Sequence, residues 1–128
     1  MRVLSVDDSE TIRKTVQNIM EVIQAEFLEA ENGLKALEVL ASVDGKVDVI
    51  LLDWQMPEMD GYEFLTTIKK DKRYRSIPVI MLTTISQKEK MIDAIRAGAK
   101  QYITKPFTEE GLIIKILQTL GVESIDQL

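Results

Sequence analysis

Asp7 and Asp8 close one apolar run of this chain, Val3-Leu4-Ser5-Val6, and Asp53 closes another, Val49-Ile50-Leu51-Leu52. Two more runs end on polar groups: Pro78-Val79-Ile80-Met81-Leu82 on Thr83, and Tyr102-Ile103-Thr104 on Lys105-Pro106. Three carboxylates form a hard-oxygen ligand set suited to Mg²⁺, which takes one or two carboxylates and keeps several waters. A carboxylate is also a nucleophile able to form an aspartyl-phosphate. Phosphoryl transfer of that kind asks for positioning and charge neutralisation more than for acid–base work. The Thr83 hydroxyl and the Lys105 ammonium, a compact point charge, suit phosphoryl oxygens.

These groups serve one chemistry only if the fold gathers them. Three carboxylates within about 4–6 Å raise one another's pKa and oppose folding. The acids are therefore metal-filled, partly protonated, or not clustered. Taken singly each is ordinary: Asp-Asp-Ser favours a helix N-terminus, Thr83 a strand, and Lys105-Pro106 a turn. Their joint placement at the ends of four strand-like runs sets them apart. Open α/β sheets carry their sites beyond the carboxyl ends of the strands, at a topological switch point.

Strand and helix patterns alternate along the whole chain. Ser9 can cap a helix with Ile12, Val16, Ile19 and Ile23 on one face. Phe27-Leu28-Glu29-Ala30 is a weaker second strand, expected near a sheet edge. Asn32-Gly33 opens a helix expected to pack through Leu34, Leu37 and Leu40. The loop from Gln55 to Gly61 follows the third strand, and a helix with Phe64, Leu65 and Ile68 follows the loop. A fourth helix is expected to pack through Met91, Ile92 and Ile95 and to end at Gly98. The last carries Leu112, Ile113, Ile116, Leu117 and Leu120 and ends at Gly121. Five βα units in series imply a parallel sheet covered on both faces. Residues 1–121 are expected to form one domain and residues 122–128 a short tail, with no output domain.

Composition narrows the chemistry. The 128 residues contain no Cys and no His. Thiolate nucleophiles, disulfides and imidazole bases are excluded, and any phosphohistidine belongs to another protein. A net charge of −5 argues against nucleic acid as a partner. No apolar stretch reaches the roughly 20 residues needed to span a bilayer, so no membrane insertion and a cytoplasmic location are expected.

With Val6-Asp7-Asp8-Ser9, Asp53-Trp54-Gln55-Met56-Pro57-Glu58-Met59-Asp60-Gly61, Met81-Leu82-Thr83-Thr84, Ala97-Gly98-Ala99 and Lys105-Pro106-Phe107 in this order, the chain resembles the response regulator receiver domain. This is the CheY-like phosphoacceptor family of two-component signalling, and the resemblance covers roughly residues 1 to 120. It implies a flavodoxin-like, doubly wound sheet of five parallel strands in the order 2-1-3-4-5 with five helices. It implies that Asp53 accepts a phosphoryl group from a sensor kinase's phosphohistidine, with Mg²⁺ (or Mn²⁺ in its place) held by Asp7, Asp8, Asp53 and the Gln55 backbone carbonyl. Lys105 would contact the phosphoryl group, and the Lys105–Pro106 bond would be cis. Thr83 would move toward the new charge while Tyr102 rotates inward, a two-state switch. The fourth helix, fifth strand and fifth helix would form an output face, with Lys88, Lys90, Tyr102 and Lys115 as candidates for contacting an acidic or amphipathic partner.

The segments around Asp53, Met59-Asp60-Gly61 and Lys105 to Thr108 look most like chemotaxis regulators that bind the flagellar motor switch. A phosphatase is a further expected partner, and no turnover beyond the chain's own phosphorylation and dephosphorylation is expected. Thr84 stands where such domains usually carry a smaller residue, which would narrow access to Asp53. The side chains at Gln55 and Ile85 tune dephosphorylation in this family. One alternative is a receiver in a non-chemotaxis phosphorelay. A rival of another class is an Mg²⁺-dependent phosphohydrolase with an aspartyl-phosphate intermediate. Its second acid would stand two residues after the nucleophile, where this chain has Gln55.

Overall fold

The computed structural model describes residues 1–84 and 88–127, residue 88 by its main chain only. Ile85 and the Lys88 side chain, both singled out above, lie outside the described residues. The strands are β1 (Arg2–Val6), β2 (Glu26–Ala30), β3 (Val49–Asp53), β4 (Val79–Thr83) and β5 (Gln101–Thr104). The helices between and after them are α1 (Glu10–Val22), α2 (Gly33–Ser42), α3 (Gly61–Lys69), α4 (Lys88–Arg96) and α5 (Glu109–Leu120). A turn of 3₁₀ helix, Ile125–Gln127, lies within the tail.

Short polar side chains start the helices by taking up main-chain N–H groups that have no partner inside the helix. Ser9 Oγ accepts from the Ile12 amide at 3.2 Å, and Asn32 Oδ1 from Lys35 at 2.9 Å. Asp60 and Thr108 do the same for α3 and α5, each at 2.9 Å. Gly121 ends α5 with φ of 70°, a left-handed conformation that costs glycine little.

The five strands pair in parallel in the order β2-β1-β3-β4-β5. Side chains alternate between the faces, so each central strand feeds two cores. Leu4, Val6, Ile50, Leu52, Val79 and Met81 pack with Phe64, Leu65, Ile68 and Ala94 on one side. Val3, Val49, Leu51, Ile80 and Leu82 pack with Val16, Ile19, Met20, Leu112 and Ile116 on the other. β2 lies at the edge, as its thinner apolar content predicts.

Three positions depart from the periodicity reading. Leu34, expected to pack α2 on the sheet, is 45% exposed; Leu40 packs inward as expected, and Ala36 takes the inner place beside it. Ile92 and Ile95, expected in the core, are 57% and 44% exposed, while Met91 and Ala94 are buried. A small residue lets α4 approach closely, and the larger aliphatics are left on the outer surface. Beyond α3, Tyr74 and Ile77 also join the core, at 3% and 5% exposure.

Strand register decides which chain ends meet. Val6 pairs with Leu52, so the next residue on each strand, Asp7 and Asp53, fall side by side. Asp53 pairs with Leu82, which sets Thr83 one step further along β4. Thr83 pairs with Thr104, the residue before Lys105.

Candidate functional site at the strand ends

β1 and β3 are neighbours whose chain continues to opposite faces of the sheet, into α1 and α3. A crevice forms where strand order reverses in this way. The acids at the two strand ends line it. A carboxylate oxygen from each of Asp7, Asp8 and Asp53 lies within 4.8 Å of the other two. Asp7 is 1% exposed and Asp53 8%, while Asp8 is open to solvent.

Lys105 holds the two buried acids. Its Nζ donates to Asp7 Oδ2 at 2.9 Å and to Asp53 Oδ1 at 3.2 Å. The Lys105 amide donates to the Thr83 carbonyl at 2.6 Å, which fastens the end of β5 to the end of β4, and the Lys105–Pro106 peptide is cis. Asp7 Oδ1 also accepts from the Ser9 amide, and Asp53 Oδ1 from the Trp54 amide, each at 2.9 Å.

The charges are unequal in their effect. Burial, and then the neighbouring Asp7 charge, push the Asp53 pKa up to about 6, against the pull of Lys105. Burial lowers the Lys105 pKa, but the hydrogen bond to Asp7 and the charges of Asp53 and Asp7 outweigh it and hold the ammonium above its ordinary value. Lys105 is therefore a fixed cation, and Asp53 remains ionised, and nucleophilic, above about pH 6. Three acids against one cation leave a surplus of negative charge. An all-oxygen donor set with that surplus fits a hard divalent cation.

Thr83 is buried at the end of β4, and its hydroxyl donates to the Thr84 carbonyl at 3.3 Å. Thr84 and Gln55 are exposed, Gln55 on the loop two residues beyond Asp53. Tyr102 is 43% exposed on β5, with the Lys115 ammonium 5.9 Å from its ring centre. Lys115 Nζ also approaches Gln101 Oε1 at 3.4 Å. The Lys90 ammonium lies 5.8 Å from the Trp54 ring centre, and Trp54 packs against Tyr62 with ring centres 5.6 Å apart. Lys90 thus joins α4 to the residue that follows Asp53.

The chain matches the response regulator receiver domain over residues 3–117. It belongs to that family. This receiver is 42% identical over 123 residues to "Chemotaxis protein CheY1" of Helicobacter pylori, across 94% of this chain and 98% of that protein. It is 39% identical over 125 residues to "Chemotaxis protein CheY homolog" of Campylobacter jejuni, across 97% and 95%. Among solved structures, chemotaxis protein CheY4 of Vibrio cholerae superposes with a TM-score of 0.85 at 34% identity, covering 93% of this receiver and 98% of that chain. The flavodoxin-like fold expected from the sequence is the fold observed. Among the described residues, no helix is long and apolar enough to cross a membrane.

At the receiver's site the sequence reading takes Gly61 only as a loop boundary and motif residue, and it misses Arg13. Gly61 begins α3 directly against β3, and its amide donates to the Trp54 carbonyl at 2.9 Å. A Cβ there would strike the Asp53 carbonyl oxygen. Gly61→Ala is expected to cost about 1–3 kcal/mol, as overpacking does, measured by urea unfolding. A variant as stable as the parent would show that the loop yields. The other residue is Arg13, whose Nη1 donates to the Asp7 carbonyl at 2.7 Å. The available signal was a cation beside the apolar face of α1, one turn beyond the acids.

Proposed function

We propose that residues 1–121 act as a phosphorylation-driven switch of two-component signalling, with Asp53 as the phosphoacceptor and a sensor kinase's phosphohistidine as donor. The observation that carries this reading is the convergence of Asp7, Asp8 and Asp53 within 4.8 Å, with Lys105 bonded to two of them. Asp53 attacks phosphorus, an acyl-phosphate bond forms, the P–N bond breaks, and the imidazole leaves.

Asp7, Asp8, Asp53 and the Gln55 carbonyl would hold Mg²⁺, which when bound neutralises charge on the phosphoryl oxygens. Lys105 supplies the second cation by exchanging its bond to Asp53 for one to a phosphoryl oxygen. Thr83, on the next strand, turns its hydroxyl to the new charge, and Tyr102 swings inward from its exposed position. Gln55 is no acid, so the phosphohydrolase reading lacks its second carboxyl group.

The likeness to chemotaxis proteins supports a role in chemotaxis; a cytoplasmic location and the flagellar motor switch as target complete the proposal. The output face supports it too. Met91, Ile92, Ile95 and Tyr102 line an apolar hollow of about 370 Å³, with the basic Arg96 in its wall. An amphipathic segment with acidic flanks fits that chemistry.

Intact mass after incubation with Mg²⁺ and acetyl phosphate tests the central claim. A phosphoryl gain that disappears in Asp53→Asn is the expected result, and a gain retained by that variant would refute the assignment. Asp8→Ala is expected to weaken Mg²⁺ binding by roughly tenfold or more, because one of three charged ligands is lost. Calorimetric titration reads this directly, and unchanged affinity would remove Asp8 from the ligand set.

A further inference from the structure

We propose that Arg13 is a positioning residue for the acidic cluster, fixing the Asp7–Asp8 peptide so that the Asp8 carboxylate stays among the ligands. The inference rests on reading the three acids as a divalent-cation site. Asp7 and Asp53 are held there by their own side-chain bonds to Ser9, Trp54 and Lys105. Asp8 has no such support: among the described residues its carboxylate takes part in no hydrogen bond or ion pair. Its place in the cluster comes from the main chain alone.

That main chain is clamped at the preceding residue. The Asp7 amide donates to the Ala30 carbonyl at 3.0 Å, and the Asp7 carbonyl accepts from Arg13 Nη1 at 2.7 Å. The carbonyl belongs to the peptide that leads into Asp8, so its direction sets the direction of Asp8. Arg13 is itself anchored, its Nε donating to Glu29 Oε1 at 2.7 Å with the side chain only 14% exposed. The guanidinium thus ties α1 to the ends of β1 and β2 at the point where both acids turn into the crevice. Its planar fork of donors makes two directed bonds that an ammonium cannot reproduce.

Electrostatics alone would act in the other direction. A guanidinium near the site repels an incoming cation, so a merely electrostatic Arg13 predicts tighter binding once its charge is removed. The sign of the effect separates the two roles. Arg13→Met keeps an apolar stem in the half-buried position.

Calorimetric titration of the whole chain with MgCl₂ is the test. Arg13→Met is expected to weaken Mg²⁺ binding roughly tenfold, the scale seen when groups that orient metal ligands are lost. In an Asp8→Ala background the same substitution is expected to cost nothing further, because the ligand it positions is gone. Arg13→Lys is expected to recover only part of the affinity, and it keeps the proposal falsifiable should the Met variant not fold. Unchanged or tighter binding, or an equal loss added to that of Asp8→Ala, would overturn the inference alone. A parent protein that binds no Mg²⁺ would overturn the cation site along with it.

Discussion

Asp53→Asn is expected to abolish phosphorylation and, in the absence of divalent cation at neutral pH, to raise stability. The two effects have one cause. Burial and the Asp7 charge lift the Asp53 pKa from 3.8 to about 6, so the folded state holds this proton more tightly than the unfolded chain does. For this group stability is greatest below about pH 4 and is lost as pH rises toward 6, by about 3 kcal/mol in all. Asn resembles the protonated acid and escapes that loss. Without cation at pH 7.5, the variant should therefore melt about 10 °C above the parent.

The difference should shrink at pH 5, where the parent's Asp53 is itself largely protonated. Adding Mg²⁺ should shrink it too, because a ligand that binds only the folded state stabilises the parent by mass action and the variant less. Thermal melts at pH 5 and 7.5, with and without Mg²⁺, give the four values required. A variant less stable than the parent at pH 7.5 without cation would mean that the native cluster is not strained by its charge.

Lys105→Ala is expected to have the opposite effect on the cation-free protein. Lys105 is the cation that Asp7 and Asp53 share, and its side chain is only 17% exposed. Removing one member of a buried ionic group leaves uncompensated charge, a loss of about 3–5 kcal/mol when burial is complete. With partial exposure about 2–4 kcal/mol is expected here, together with a further rise in the Asp53 pKa. Millimolar Mg²⁺ should recover much of this stability by supplying positive charge to the same acids.

Phosphorylation by a small donor should persist at a reduced level in Lys105→Ala, while the response of Trp54 fluorescence is lost. Chemical unfolding with and without Mg²⁺ measures the first effect, and mass and fluorescence together measure the second. Equal stability of variant and parent without cation would show that the Lys105 bonds contribute nothing net. In the double variant Asp53→Asn/Lys105→Ala only one of the two buried acids, Asp7, is left charged without its cation, so the two changes should be non-additive.

The candidate site was legible because its residues sit where local patterns break. Four apolar runs stop on Asp7-Asp8, Asp53, Thr83 and Lys105, and strand ends are fixed by short-range sequence alone. Ser9 and Asn32 were legible as helix starts for the same reason, since a cap acts on amides two or three residues away. The edge position of β2 followed from its thin apolar content.

Facing and partnership needed the whole molecule. Leu34, Ile92 and Ile95 obey helical spacing yet face solvent, because the width of the buried stripe is set by what packs opposite it. Ala94 wins the inner face of α4 by being small. Whether three acids form a strained cluster or a neutralised one depended on Lys105, 98 residues from Asp7 in sequence and 2.9 Å from it in space. Arg13 joins a carbonyl six residues back to a carboxylate on a separate strand, contacts that no period encodes. The sequence by itself determined which groups end the strands and hence the class of chemistry. Only the tertiary structure decided how their charges balance, because Coulomb energy depends on distance and burial, and both are set by how the strands align.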